Sequence, residues 1–170
     1  MTEIFGRTKT AKTKTAPSEF DHKMISLRRV TRVVKGGRRF SFSALVAAGD
    51  KRGRIGLGLG KAGDISEAIE KGFRQAKKRM LTLPLTADHS IPHEVMAKFG
   101  SSRVVIRPAP ERGIVAGSAV RVLLALAGVR GVSAKVISPS KNKINIARAA
   151  LAALGSLTSH FPTLTCNYIS

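Results

Sequence analysis

The chain has few of the residues that serve disulfide formation, metal binding and base stacking. Its 170 residues include one cysteine and no tryptophan, and aromatic residues make up 5% of the chain. A single thiol, Cys166, cannot form an internal disulfide or a cysteine-based zinc site. We therefore expect an intracellular protein. The scarcity of rings also argues against reading unpaired bases on an aromatic platform.

Long apolar runs and acidic residues are scarce as well. No stretch of eighteen apolar residues occurs, so we expect no membrane-spanning helix and no membrane partner. Only 10 Asp and Glu stand against 30 Lys and Arg, which gives a formal net charge of +20. An excess of this size predicts a polyanionic partner. Together with the few aromatics, it favours folded or duplex RNA bound through phosphates, sugars and shape.

The densest positive charge lies in the segment RRVTRVVKGGRR, residues 28–39. Half of these residues are basic, and no acid occurs from His22 to Gly49. We predict a β-hairpin that turns at Gly36-Gly37, where backbone N–H groups can approach phosphates without side-chain obstruction. A charge run can also be a solvated face, but here a phosphate backbone would relieve the mutual repulsion of the cations.

The predicted RNA-binding residues follow from this hairpin and the strands beside it. In the hairpin they are Arg28, Arg29, Arg32, Lys35, Gly36, Gly37, Arg38 and Arg39. On the following turn and third strand we expect four more basic residues to extend the surface: Lys51, Arg52, Arg54 and Lys61.

Three strand patterns and one helix pattern predict a first module over residues 23–83. The strands occupy 28–35, 38–48 and 54–60, and Asp64 opens an amphipathic helix in which Glu67 completes a capping-box spacing. We expect a three-stranded antiparallel sheet with the helix on one face and the other face left for the partner. Four apolar residues are interpreted as core and not as base-stacking groups: Phe40, Phe42, Ile69 and Phe73.

A second α/β module is predicted over residues 90–158, in the order strand, strand, helix, strand, helix. The fold class is therefore α+β. Residues 1–22 are interpreted as a basic flexible arm because they are rich in Lys and Thr and lack an apolar stripe, although a transit peptide is possible. Residues 159–170 form a C-terminal tail.

Enzymatic motifs are weak. The segment from Gly58 to Gly63 matches GxGxxG, the dinucleotide fingerprint, but its strand follows a hairpin and Asp64 stands at the start of the helix. The segment also lacks the Ser or Thr of a phosphate-binding Walker loop. His89 and His93 are separated by Pro92, so their rings would not converge on a metal. We predict no catalytic residues, no cofactor and no metal site.

Longer stretches of the chain resemble one known family. These stretches are RVTRVVKGGRRFSFSALVAAGD, GRIGLGLGKA, SIPHEVMAKFGSSRVVIRPAP, GIVAGSAVRVLLALAGV and INIARAALAAL. In order and spacing they are similar to small-subunit ribosomal protein five of the bacterial type, over roughly residues 25–155. The loop PERGIVAG is shorter than its usual counterpart in that family.

The resemblance implies a fold and a role. The first module would resemble the double-stranded-RNA-binding fold, and the second would contain a left-handed βαβ crossover, against the usual hand. The family is a structural, non-enzymatic constituent of the small ribosomal subunit. It binds ribosomal RNA near the decoding region and the side at which messenger RNA enters, and it supports translational accuracy. A free regulator that binds double-stranded RNA is the alternative.

The resemblance also implies partners and a location. Ribosomal proteins four and eight would be neighbours, with Gly113 and Arg121 at the contact with protein four. The protein is expected as a monomer within the ribosome, in the bacterial cytoplasm or in an organelle.

Overall fold

A computed structural model describes residues 19–157, so most of the predicted arm and all of the predicted tail, with Cys166, lie outside the described residues. The elements in chain order are β1 (Asp21–Val34), β2 (Gly37–Gly49), β3 (Arg54–Ala62), α1 (Ile65–Lys78), β4 (Met80–Thr82), β5 (Val95–Phe99), β6 (Ser102–Pro108), a 3-10 turn (Pro110–Arg112), β7 (Ile114–Val115), α2 (Ser118–Ala127), β8 (Val132–Val136) and α3 (Lys143–Ser156). The predicted α+β class with two modules is confirmed.

The first sheet is antiparallel throughout, in the order β1-β2-β3-β4. It has one more strand than the three that the sequence predicts. The apolar pattern of the helix extends to Met80, whereas α1 ends at Lys78 and Met80 pairs with Gly56 in a three-residue ladder. A strand this short carries too few residues for an alternating pattern, so its pairing partner decides its conformation.

Helix α1 packs on one face of this sheet through small residues. Its buried positions are Ala68, Gly72 and Ala76, while the side chain of Ile65 at the start of the helix is 41% exposed. The predicted capping box does not form: the Asp64 side chain makes no cap hydrogen bond, and Glu67 pairs with Lys71 at 2.6 Å. Because the buried residues of α1 are small, the helix lies closer to the sheet than bulky core residues would allow.

The opposite face of the first sheet is covered by the second module, which corrects the expectation that it is free for a partner. Leu45 and Ile55 of the first sheet belong to the same buried cluster as Leu123 of α2 and Leu154 of α3. The first sheet thus has apolar side chains on both faces, and each face is covered by helices of the chain itself.

The second sheet has the order β5-β6-β8-β7, in which β7 and β8 are parallel and the other pairs antiparallel. The connection β7–α2–β8 is a βαβ unit whose first strand has only two residues, and the sequence patterns do not predict that strand. Gly128 ends α2 in the left-handed conformation at φ +81°, and Asn142 caps α3 by accepting a hydrogen bond from the Ile144 N–H. No helix within residues 19–157 is long and apolar enough to span a membrane.

Candidate nucleic-acid interface

The β1–β2 hairpin projects beyond the rest of its sheet. Strand β3 pairs with β2 only from Phe42 to Gly49, whereas β1 and β2 stay paired as far as Val34 and Gly37. The part beyond Phe42 is a two-stranded ribbon about 17 Å long, at roughly 3.4 Å per residue. We refer to residues 28–43 as the distal hairpin.

The tip of the distal hairpin is a two-residue loop. Because Val34 pairs with Gly37, the loop residues are Lys35 and Gly36, one position earlier than the predicted Gly36-Gly37 turn. Gly37 has φ +138°, a backbone conformation that favours glycine. No atom of the described residues lies within 4 Å of where a Cβ would stand at either glycine. The backbone of the tip is therefore open to a partner.

The strand register gives the distal hairpin two different faces, since directly opposed residues point to the same side. One side, which we name the serine face, carries three arginines, two serines and one valine: Arg28, Arg32, Arg39, Ser41, Ser43 and Val30. The other side, the phenylalanine face, carries Arg29, Thr31, Val33, Arg38, Phe40 and Phe42. Lys61 pairs with Ser43 and extends the serine face at its base.

Within the part of the chain that the structure describes, the cations of the distal hairpin have no carboxylate partner. Among residues 19–157, none of its six basic side chains forms an ion pair, because the four ion pairs involve Lys51, Arg54, Lys71 and Arg107. Arg32 and Arg39 stand directly opposite each other, and like charges in such a pair repel. The arrangement favours binding of an external anion that spans several residues.

Phe40 is a residue whose position the sequence prediction misjudged. It lies on the ribbon beyond the sheet and is 48% exposed, so its assignment to the core is wrong. The Arg29 guanidinium carbon lies 3.5 Å from the centroid of its ring. Phe42, Ile69 and Phe73 pack, partly buried, against the small cluster under α1, as predicted. The sequence places Phe40 and Phe42 two residues apart on one strand, but it does not show that β3 and α1 reach only as far as Phe42.

The predicted site residues on the β2–β3 turn lie away from the hairpin tip. Lys51, Arg52 and Arg54 follow the far end of β2, about 40 Å along the strand from Gly37 at roughly 3.4 Å per residue. Two of these cations are already paired, Lys51 with Asp21 and Arg54 with Asp50, both at 2.6 Å.

The pKa values of both carboxyls reflect this pairing. The hydrogen bond from Lys51 lowers the pKa of Asp21 below its ordinary value. Burial raises the pKa of Asp50, but hydrogen bonds from the Arg54 side chain and from the Arg52 and Arg54 backbone outweigh it, and the net shift is downward.

The β2–β3 turn also joins the two modules. The Lys51 N–H donates to the Leu126 carbonyl and the Gly53 N–H donates to the Ala127 carbonyl, each at 2.9 Å. Lys51 has φ +59°, an unusual value for a residue other than glycine. These contacts give the turn a structural role at the end of α2, whereas Lys61 remains the one of these four cations that adjoins the distal hairpin.

Gly113 and Arg121, the two predicted protein-contact residues, are both exposed in the second module. Gly113 follows the 3-10 turn at φ +65°, and its carbonyl accepts a hydrogen bond from the Val132 N–H. Arg121 lies in the first turn of α2, where its N–H bonds to the Gly117 carbonyl and its side chain is free to face outward. Neither residue is used in the core.

The described residues offer no site for metal chemistry. Within residues 19–157, no group of three or more His, Cys, Asp or Glu side chains could hold a metal ion. Two of the three glycines in the GxGxxG segment lie against helix α1. A Cβ on Gly58 would collide with the Gly72 carbonyl oxygen, and one on Gly60 would collide with that of Ala68. Gly58 and Gly60 thus allow the α1 backbone to approach β3 closely, so a pyrophosphate cannot bind against these two glycines.

Comparison with known proteins relates both modules to one family. Family models described as "Ribosomal protein S5, N-terminal domain" and "Ribosomal protein S5, C-terminal domain" match residues 20–84 and 97–162. The small ribosomal subunit protein uS5 of Synechococcus elongatus is 50% identical over 141 residues, which are 82% of this chain and 78% of that protein. The uS5 protein of Treponema pallidum is 51% identical over 140 residues, 82% of this chain and 80% of that protein. The uS5c protein of Emiliania huxleyi is 44% identical over 140 residues, 82% of this chain and 87% of that protein.

Proposed function

Because the chain belongs to the ribosomal protein S5 family, we propose that its distal hairpin binds the phosphate backbone of small-subunit ribosomal RNA. The family is a structural, non-enzymatic constituent of the small ribosomal subunit, bound to ribosomes in the bacterial cytoplasm or in an organelle. The observation that carries the proposal is the uncompensated charge of the hairpin on a ribbon that no other described element supports.

Electrostatics favours a polyanion over a single counter-ion. An isolated two-stranded ribbon is marginally stable in water, and opposed arginines weaken it further. An RNA backbone places phosphates along the whole ribbon and releases its condensed counterions on binding. Glycines at the tip allow a phosphate to approach the main chain. The same contacts would thus order the hairpin and hold the RNA.

We place this contact near the decoding region and the side at which messenger RNA enters, with a role in translational accuracy. Gly113 and Arg121 are proposed to contact ribosomal protein four, and protein eight is a second proposed neighbour. Their exposure in the second module supports this role, because neither residue belongs to the buried core. Arg121→Glu is expected to abolish crosslinking to purified protein four and to raise misreading of near-cognate codons. Retained crosslinking would contradict this contact.

The salt dependence of RNA binding tests the main proposal. In the full chain, Arg32→Gln with Arg39→Gln should weaken binding to small-subunit ribosomal RNA and reduce the slope of log K against log salt by about two, roughly one unit for each phosphate that is no longer neutralised. The measurement is a titration at several salt concentrations. Lys71→Gln with Arg107→Gln removes the same charge from α1 and β6 and should leave the slope closer to that of the wild type. Equal slopes in the two double variants would overturn the proposal.

A further inference from the structure

We infer that the phenylalanine face of the distal hairpin stacks on a nucleobase, while the serine face holds phosphates. The hairpin would then lie between two RNA segments and would require an unpaired or helix-terminal nucleotide on one side. This inference rests on the proposed function, which concerns charge alone. It assigns a second kind of contact, and a second class of RNA structure, to the same hairpin.

The phenylalanine face exposes apolar surface where the described residues offer no cover. Val33 is 76% exposed and Phe40 is 48% exposed, and they are diagonal neighbours across the ribbon. Helix α1 covers this side of the sheet only as far as Phe42, which packs against the small cluster beneath it. Exposure of these two apolar side chains to water is unfavourable. A flat, apolar ligand face would bury them.

The surroundings of Phe40 fit a nucleobase. Arg29 lies over the ring with its guanidinium carbon 3.5 Å from the centroid, a cation–π contact. One ring face is thus occupied, and the half-exposed side chain can offer its remaining surface to a base. Thr31, directly opposite Phe40, has a hydroxyl that can donate to or accept from a base edge. Arg38, which lies on the same face next to Gly37, can neutralise the phosphate of the same nucleotide.

The serine face has a different chemistry. It has no aromatic residue, and its arginines are interleaved with the hydroxyls of Ser41 and Ser43. Guanidinium groups bind phosphate oxygens in pairs, and hydroxyls bind phosphate or ribose oxygens singly. This face suits a continuous backbone and offers no ring on which a base could stack. The different chemistry of the two faces follows from the strand register. A one-residue shift of β1 against β2 would place residues of the serine face and of the phenylalanine face on the same side.

This assignment revises the expectation that the scarce aromatics exclude base stacking. Composition counts the rings but does not say where they lie. A single ring at the exposed part of an RNA-binding hairpin suffices for one stack, which contributes roughly a 5- to 150-fold gain in affinity.

The absence of tryptophan from the chain allows a direct test. In a Phe40→Trp variant of the full chain, the single indole reports stacking by fluorescence, and titration with small-subunit ribosomal RNA is expected to quench it strongly. The matched control is Phe99→Trp, which places an indole under Arg148 in the second module, 5.3 Å from ring to guanidinium carbon in the wild type. The control should show much less quenching. Equal quenching in both variants, or none in Phe40→Trp while RNA is bound, would overturn the inference.

A second variant separates stacking from charge. Phe40→Leu keeps an apolar side chain but removes the ring, so affinity should fall about 5- to 150-fold while the salt slope stays unchanged. Phe40→Trp should bind as tightly as the wild type. Wild-type affinity in Phe40→Leu would refute the stack and leave the phosphate proposal standing. A normal salt slope in the Arg32→Gln, Arg39→Gln variant would instead refute the phosphate proposal itself.

Discussion

Asp50 shows how one side chain can organise a turn. Its carboxylate is 5% exposed and accepts hydrogen bonds from the Arg52 N–H at 2.8 Å, the Arg54 N–H at 3.0 Å and the Arg54 side chain at 2.6 Å. The turn it stabilises also accommodates Lys51 in a left-handed conformation and carries the backbone bonds to the end of α2. The residue therefore connects local turn chemistry with the contact between modules.

We predict that Asp50→Asn destabilises the isolated chain by about 1–3 kcal/mol, the usual effect of removing a charged acceptor from partly buried donors. The pKa of Asp50 is lower when folded than its ordinary value of 3.8. Its ionised form thus stabilises the fold above that value, and the stabilisation is lost as pH falls through the lower folded pKa. Urea unfolding between neutral pH and about pH 3 measures both effects.

The control for this experiment is Glu111→Gln, on the exposed 3-10 turn of the second module. It removes one carboxylate without touching the β2–β3 turn and should unfold at nearly the wild-type urea concentration. If Asp50→Asn retained the full acid sensitivity of the wild type, the carboxylate would not be the group that titrates with folding.

At the scale of elements, β3 and α1 pack closely because both lack bulky side chains where they meet. Every second residue of β3 from Gly56 to Gly60 is a glycine that faces the helix. The helix residues in contact with them are also small. The two backbones approach closely because neither carries a bulky side chain at the contact. The same spacing that resembles a nucleotide-binding loop thus arises from helix-on-sheet packing.

We expect Gly58→Ala to destabilise the chain by about 1–3 kcal/mol, since the new methyl group would collide with the Gly72 backbone and force the helix outward. Gly63→Ala is the matched control, because no described atom lies within 4 Å of its Cβ position. Thermal unfolding followed by far-ultraviolet circular dichroism compares the two. Equal melting temperatures would refute the close packing.

For the molecule as a whole, one large core spans both modules. Leu45 from β2 is buried with Val120 and Leu124 from α2, and with Ala150 from α3, in a single cluster. Hydrophobic burial is proportional to area and indifferent to sequence distance, so a core shared in this way couples the stabilities of the modules. The distal hairpin lies outside this core, since none of its residues belongs to the cluster.

We predict that the two modules unfold together. Leu45→Ala in the first module should lower the free energy of unfolding by about 2–5 kcal/mol, as for other buried leucines. Hydrogen exchange followed by mass spectrometry should show faster exchange in α3 and β6 as well as in β2. Val115→Ala, at a site that is 51% exposed, serves as the control and should change little. Unchanged protection of α3 in Leu45→Ala would mean that the modules are independent.

Several features follow from the sequence alone. The charge of the hairpin, its strand pattern and its glycine tip are local properties, so they predict a basic β-hairpin and a phosphate-bearing partner without tertiary information. Gly128 ends α2 because the left-handed conformation depends on the residue itself, whereas the sequence offers both Asn142 and Asn145 as caps of α3 and the structure selects Asn142. The long matching segments likewise indicate the family.

Other features were decided only by tertiary structure, because they depend on residues far apart in the chain. The second module covers the sheet face that was expected to be free, and β4 exists only because β3 offers it an edge. Phe40 and Phe42 have the same pattern and the same residue type, yet one is exposed and the other partly buried. The end of β3 makes that difference, since a side chain is buried by the element beside it and not by its own neighbours in sequence.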